Sequence, residues 1–223
     1  WDALVARDPA ASVFHSRPWL EAIRGTYQTR LTAITPQPPG EPLRAAVLFG
    51  LRPRLGRAPS WVSLPFSDHC QPLGDFDRWS ELLELANQRA WPSIEIRALD
   101  SGPLRNERWS VVHTYAIHHL DLRAGAAALW SRLHHDSIQR KIRRAERLPL
   151  RVESTTNLTT LQVFYGLFHG TRLRHGVPTQ PWRWFENLFA AFGPADLRVY
   201  VAWQADQPLA AIYEQDTSNL ERQ

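Results

Sequence analysis

Proline and glycine lie at the ends of many hydrophobic patterns in this sequence, where they mark turns. Proline lacks the backbone N–H that the interior of a helix or sheet needs. The 223 residues include 17 prolines and 11 glycines, clustered for example at 36–42, 176–178 and 193–194. No apolar run approaches the ~20 residues that span a membrane, and no apolar leader is visible. The pattern indicates a globular chain whose helices and strands are separated by turns.

Helical and strand patterns alternate along the chain, which predicts an α+β protein. We expect strands at 28–35, 43–51, 61–64, 93–99, 109–122, 150–153, 197–203 and 209–213. Helices are predicted at 16–24, 75–90, 126–148, 158–175 and 181–192. The same alternation starts again near residues 105–118. We therefore expect two similar lobes with mixed, mostly antiparallel sheets, in residues 1–112 and 113–223.

The single cysteine limits both the expected cellular location and the kinds of site that the chain can form. Cys70 is the single cysteine, which excludes an internal disulfide framework and a thiolate-rich zinc site. A reducing cytoplasm is therefore the expected location. The chain begins at Trp1 and contains no methionine, so we expect a fragment of a longer protein whose second lobe is incomplete.

Positive charge is concentrated in one segment. Residues 130–151 hold seven basic and two acidic residues, whereas the whole chain has a net charge of only +4. A helix over 137–147 would carry one buried apolar stripe, formed by Ile138, Ile142 and Ala145. A second stripe would be cationic. It contains Arg140, Arg143, Arg144 and Arg147, with Lys141 next to Arg140 in the sequence.

Guanidinium groups bind phosphate oxygens in pairs and stay charged at any working pH. The cationic stripe therefore predicts a site for a phosphorylated ligand, with Arg140, Lys141, Arg143 and Arg144 as the binding residues. A solvated basic face explains the same pattern equally well.

Two further sets of side chains are candidates for chemistry. Tyr165, Arg172 and His175 fall on one face of the helix predicted at 158–175, where they would face an acidic substrate. Asp68 and His69 follow a short strand, and either could help to deprotonate an amine. The alternatives are a surface arginine, a histidine stabilised by the helix dipole, and a turn built by Asp68.

Metal and nucleotide motifs are missing. The histidine pairs 118–119 and 134–135 lack a carboxylate at the spacing of a helical zinc motif, so we expect no metal site. The sequence contains no Gly-x-x-x-x-Gly-Lys-[Ser/Thr], Gly-x-Gly-x-x-Gly or Gly-x-Ser-x-Gly. P-loop, Rossmann and α/β-hydrolase folds are therefore unsupported.

Four stretches, taken together, resemble a known family. They are FHSRPWL at 14–20, SLPFSDHCQPL at 63–73, HLDL at 119–122 with LW and RKIRRAER at 129–130 and 140–147, and FY with RLRHGVP at 164–165 and 172–178. Their order and spacing resemble the FemAB-like branch of the GNAT acyltransferases, also known as BioF2-like acetyltransferases. The resemblance extends over nearly the whole chain.

The resemblance implies two GNAT-like lobes and transfer of an acyl or aminoacyl group to an amine in cell-envelope or exopolysaccharide assembly. The donor would be acyl-CoA or an aminoacyl-tRNA, with no metal. Asp68, His69 and His175 are then the candidate catalytic residues, and Tyr165 and Arg172 would bind substrate beside the cationic stripe. The expected partners are the phosphorylated donor and an amine-bearing acceptor, with peripheral contact at the inner membrane and no stable DNA binding.

Two other functions remain open from the sequence. One is a GNAT-like scaffold that binds a partner without turnover. The other is a nucleic-acid-binding module that uses the basic helix 137–147, for which a steep salt dependence of binding would be diagnostic.

Overall fold

The structure, a computed structural model, describes residues 1–74, 79–100, 109–118 and 120–215. It begins with helix α1 (Asp2–Arg7), a 3₁₀ turn (Val13–His15) and helix α2 (Arg17–Tyr27). The Ser16 side chain accepts a hydrogen bond from the backbone N–H of Trp19 and so caps α2, which places Pro18 in the first turn. Helix α2 was predicted at 16–24, and it is confirmed.

The first sheet is built from four strands in the order β1–β2–β3–β4. Their bounds are β1 Leu31–Ile34, β2 Val47–Arg54, β3 Arg57–Ser63 and β4 Ile94–Ile96. The first three strands are antiparallel, and β4 pairs in parallel with β3. The predicted pairing of β1 with β2 is confirmed. Strand β2 also runs on through Arg54 into a tight hairpin with β3, whereas the predicted strand stopped at residue 51.

Helix α3 (Trp79–Asn87) covers the core of this sheet. Its buried residues are Trp79, Leu82, Leu83 and Ala86, the apolar face that helical periodicity predicts. Leu82 and Ala86 pack in one cluster with Phe49 and Trp61 of the sheet. The predicted start of this helix, at residues 75–78, lies outside the described residues.

The strand predicted at 109–122 is wrong where the structure describes it. Residues 110–118 and 120–122 form no regular strand, and Val112, Tyr115, Leu120 and Leu122 are exposed. Alternation of apolar residues marks which side chains would share a face, but a strand forms only beside a partner. His119 lies outside the described part of the chain.

The second sheet has the order β5–β6–β7. Strands β5 (Leu150–Thr155), β6 (Leu197–Gln204) and β7 (Gln207–Gln215) confirm the three strands predicted here. Helix α6 (Leu158–Arg174) is capped by Asn157, whose side chain accepts a hydrogen bond from the backbone N–H of Thr160.

Helix α7 (Trp182–Asp196) is interrupted at Gly193, where φ is 74°. The interruption lies directly after residue 192, where the predicted helix ends. Only glycine adopts this backbone conformation at little cost. Trp184 and Phe185 of this helix are buried, with 4% and 3% exposure. Trp184 packs edge-on against Trp19 of α2 at 5.2 Å between ring centroids.

Backbone contacts divide the chain into two units. The first comprises Trp1–Val111 and Thr179–Arg198, and the second comprises Val112–Pro178 and Val199–Glu214. The predicted assignment of residues 1–112 and 113–223 to two lobes stays a prediction. The α+β class is confirmed by the two sheets and their helices.

Candidate functional site

The cationic segment of the second unit is not one continuous helix. Helix α4 (Gly125–Arg132) ends where Leu133 becomes extended, with ψ of 139°. A π-helical turn (His135–Gln139) follows, and helix α5 (Arg140–Glu146) continues from it. The single helix predicted over 126–148 is therefore wrong, although its two ends are helical.

Gln139 holds this break together. Its side chain is nearly buried, at 8% exposure. Its amide Nε2 donates to the carbonyl oxygens of Trp130 and Leu133, both at 2.9 Å. His134 Nδ1 accepts the backbone N–H of Ser137 at 3.2 Å. Carbonyl groups at the end of α4 thus accept hydrogen bonds from a side chain of the following turn.

Arg143 is fixed in place by the same turn. Its Nη2 donates to Gln139 Oε1 at 3.4 Å, and its guanidinium lies 5.5 Å from the centre of the Trp130 ring. A cation over an indole face is attracted by the ring. Arg143 is therefore held to the protein on one side, which leaves its remaining donors for a ligand.

The neighbouring cations are open to solvent. Arg140, Lys141, Arg144 and Arg147 are exposed. No ion pair engages any of the four within the part of the chain that the structure describes. Arg140 and Arg144 lie four residues apart on α5, which places them one helical turn from each other. The predicted cationic stripe is therefore present on α5.

The predicted apolar stripe beside it is not buried. Ile138 is 40% exposed and Ile142 37% exposed, and Ala145 is also exposed. The interruption at Leu133 gives a physical reason: α5 is tied to α4 through Gln139 rather than through an apolar face.

On α6, the three predicted side chains have separate surroundings. The Tyr165 ring lies near the His169 ring, 6.0 Å between centroids and 26° between planes. The Arg172 guanidinium lies 5.1 Å from the centre of the Phe168 ring. His175 is exposed and caps the C-terminus of α6, with its backbone N–H on the carbonyls of the last turn. Convergence of Arg172 with the arginines of α5 stays a prediction.

Asp68 and His69 lie in the first unit, on a loop (residues 63–73) that is tightly held. Trp19 Nε1 donates to Ser67 Oγ at 2.8 Å, and Arg97 Nη1 donates to the Ser67 carbonyl at 2.8 Å. Asp68 is exposed, whereas His69 is partly buried, with its ring edge-on to Phe14 at 4.9 Å. The loop therefore presents Asp68 to solvent from a rigid base.

Cys70, on the same loop, is completely buried. Burial raises the pKa of its thiol, because a thiolate is poorly solvated in an apolar interior. The thiolate is the nucleophilic form of cysteine, so Cys70 is a packing residue.

Sequence reasoning missed a groove in the first unit. It has a volume of about 750 Å³ and lies at the C-terminal end of α2. Its lining residues are Glu21, Arg24, Gly25, Gln28, Thr29, Arg30 and Leu31. The turn that shapes it depends on Gln28, which has a positive φ of 51°. Propensity does not predict this conformation at a glutamine.

Neither a metal-binding cluster nor a membrane-spanning helix is present within the described ranges. No three histidine, cysteine, aspartate or glutamate side chains lie close enough together to hold a metal ion. No helix there is both long enough and apolar enough to cross a membrane.

The chain is similar to known proteins both in part of its sequence and in its fold. Residues 132–214 match the acetyltransferase (GNAT) domain family. The fold is similar to that of a solved chain titled FemX, with a TM-score of 0.60 and 16% sequence identity over 90% of this chain. The predicted resemblance to the FemAB-like GNAT branch is confirmed. The chain spans 55% of the length of the FemX chain. No curated protein matches the chain.

The GNAT match divides the candidate residues into two groups. The substrate-binding candidates of α5 and α6, together with His175, lie inside the matched region. Asp68 and His69 lie outside it. Within the region matched to the GNAT domain, the cationic stripe on α5 is exposed and positively charged, which suits a phosphorylated ligand.

Proposed function

We propose that this chain is an N-acyltransferase, which moves an acyl or aminoacyl group from a phosphorylated donor to an amine in cell-envelope or exopolysaccharide assembly. The observation that carries the proposal is the GNAT match over residues 132–214, which contains the exposed cationic stripe of α5. The similarity of the fold to FemX supports it.

The reaction sets the requirements for the site. The amine nitrogen attacks the carbonyl carbon of the donor, a new C–N bond forms, and the bond to the donor's sulfur or ribose oxygen breaks. The amine proton passes to a base. This requires a deprotonated amine, a polarised carbonyl and alignment of both reactants.

The phosphate groups of the donor are the part that α5 can hold. Acyl-CoA and aminoacyl-tRNA share this chemistry. Arg140 and Arg144 are one turn apart and form no ion pair among the described residues, so both can donate to one pyrophosphate or to adjacent phosphates. Arg143, packed on Trp130, would add a donor in a fixed position.

Donor binding is tested by charge reversal at the two free arginines. Each hydrogen bond to a charged group contributes about 1.5–3 kcal/mol. The double variant Arg140→Glu/Arg144→Glu should therefore raise the Kd for the donor by ~100-fold or more. Isothermal titration with CoA, and separately with deacylated tRNA, distinguishes the two donor classes.

The matched control is Arg174→Glu. Arg174 is an exposed arginine in the same unit, and its Nη2 donates to Thr171 Oγ1 at 3.0 Å. It should bind the donor as the wild type does. Unchanged donor affinity in the double variant, with native circular dichroism, would show that α5 is a solvated basic face.

The base is tested by three single variants, Asp68→Asn, His69→Ala and His175→Ala. Removal of a general base lowers kcat/KM by about 10²–10⁴-fold. We expect this loss in one of the three, together with a change in the acidic limb of the pH profile. His135→Ala, at an exposed histidine, is the control. Full activity in all three would place the base on another group or on water.

A further inference from the structure

The hairpin of β2 and β3 extends beyond the sheet that anchors it. Strand β1 pairs with β2 only as far as Gly50, and β4 pairs with β3 only from Trp61 onward. Between these points, every residue from 53 to 59 is exposed. We refer to residues 53–59 as the hairpin tip.

The hairpin tip combines one apolar side chain with positive charge. Leu55 is fully exposed, at 105% of its reference surface. Arg54 and Arg57 are paired across the two strands, and Leu55 lies between them in the turn. Both are exposed, and neither has an ion pair among the described residues. The sequence has no acidic residue from 42 to 67.

The charge at the base of the hairpin is already neutralised. Arg52 Nη2 donates to Glu95 Oε2 at 2.8 Å, and its Nε donates to Ser60 Oγ at 3.1 Å. The structure thus separates an arginine used for folding from two arginines that the fold does not use. Leu55 contributes nothing to the core, so stability does not account for a leucine at the turn.

The two prolines of the hairpin tip argue against a peptide partner. Leu51 N–H points outward to the carbonyl of Arg30, and Trp61 N–H points outward to the carbonyl of Ser93. Two residues further toward the turn lie Pro53 on one strand and Pro59 on the other, and neither has an N–H to donate. Prolines at such positions block the addition of a further strand.

We propose that the hairpin tip binds an anionic lipid surface. Leu55 enters the boundary between headgroups and acyl chains, while Arg54 and Arg57 bind lipid phosphates. An apolar residue flanked by cations suits such a surface, since burial of the side chain and attraction of the charges act together. A nucleic acid would use the arginines but would gain nothing from Leu55. This contact is independent of the acyl transfer proposed above.

Co-sedimentation with vesicles tests the proposal directly. The whole chain should bind vesicles of phosphatidylcholine and phosphatidylglycerol, and it should bind pure phosphatidylcholine more weakly. Leu55→Gln should lower the partition coefficient about fivefold, and Arg54→Ser/Arg57→Ser should lower it about 25-fold. The controls are Leu158→Gln, at an exposed leucine between the neutral residues Asn157 and Thr159, and Arg89→Ser, at an exposed arginine elsewhere.

A spectroscopic readout distinguishes lipid from nucleic acid. Cys70 is buried and its thiol pKa is raised, so a Leu55→Cys variant can be labelled with an environment-sensitive dye at position 55. Its emission should shift to the blue with anionic vesicles and stay unchanged with RNA. The same dye on Leu158→Cys should show no shift in emission.

Three outcomes would overturn the proposal. One is the absence of wild-type binding to the anionic vesicles. Another is equal binding by wild type and both tip variants. The third is loss of RNA binding in the arginine variant with no blue shift on vesicles, which would assign the hairpin tip to nucleic acid. Since no readout uses turnover, failure here leaves the acyltransferase proposal untouched.

Discussion

His15 is the buried residue that ties the N-terminal segment to the loop carrying Asp68 and His69. It is completely buried, and its Nδ1 accepts the backbone N–H of Ser12 at 3.1 Å. Its Nε2 therefore carries the proton and donates to the carbonyl of Gln71 at 2.9 Å. Both bonds are satisfied by the neutral ring. Burial lowers the pKa of His15 below its ordinary value of 6.5.

A lowered histidine pKa makes stability depend on pH. The unfolded chain takes up a proton near pH 6.5, whereas folded His15 stays neutral until lower pH. His15 should thus remove stability as pH falls below about 6.5, at up to ~1.4 kcal/mol per pH unit. His15→Gln should be less stable at neutral pH but lose less between about pH 7 and pH 5. Urea unfolding at several pH values measures this.

The control for this experiment is His135→Gln, which removes an exposed histidine. It should retain the pH dependence of the wild type. If His15→Gln also retains it, the ring is not the group that titrates.

Single residues could be predicted from the sequence where their position depends only on local spacing. The exposed arginines of α5 follow from charge and helical spacing, both of which are local. The contact between Arg143 and Trp130 could not be predicted, because it joins residues on opposite sides of a helix break that periodicity does not show.

At the scale of elements, Gln139 decides how the cationic segment is divided. Sequence pattern favours one long helix there, since no proline or glycine interrupts residues 126–148. The break arises from hydrogen bonds between a side chain and two distant backbone carbonyls. Such bonds compete with the regular helix, and their presence depends on the packed structure.

Replacement of Gln139 tests this account. Gln139→Leu keeps much of the side-chain volume but removes the amide N–H groups. The carbonyls of Trp130 and Leu133 then lose the hydrogen bonds that Gln139 donates. We expect a loss of about 1–3 kcal/mol in the free energy of unfolding. Chemical denaturation measures it, with Gln162→Leu, at an exposed glutamine of α6, as the control. Equal stability of the two variants would contradict a structural role for Gln139.

At the scale of the whole molecule, the α+β class and most strands could be predicted from two patterns. These are the positions of proline and glycine, and the alternation of apolar with polar residues. The packing of α2 on α7 does not, since the Asn187 amide reaches Thr26 across 161 residues of sequence. No local pattern shows which distant helices meet. The groove beside α2 was missed for a related reason: it combines a helix end with a glutamine at positive φ.

The charge distribution of the whole chain predicts weak binding to DNA. Basic residues are concentrated at 130–151, and the remainder of the chain is nearly neutral. At about 0.15 M salt, the Kd for a short duplex should lie above ~10⁻⁴ M, weaker than ordinary non-specific binders. Fluorescence anisotropy over a salt series measures it. Tighter binding with a steep salt slope would favour the nucleic-acid module instead.

The placement of α7 sets an order of events during synthesis. The first unit needs Trp184 against Trp19, yet the ribosome makes the entire segment 112–178 in between. A nascent chain that ends before α7 therefore leaves the apolar side of α2 without its partner. Contacts so distant in sequence form slowly, and exposed apolar surface invites aggregation meanwhile. Cells that make this chain should need a chaperone to shield α2 until α7 has emerged from the ribosome.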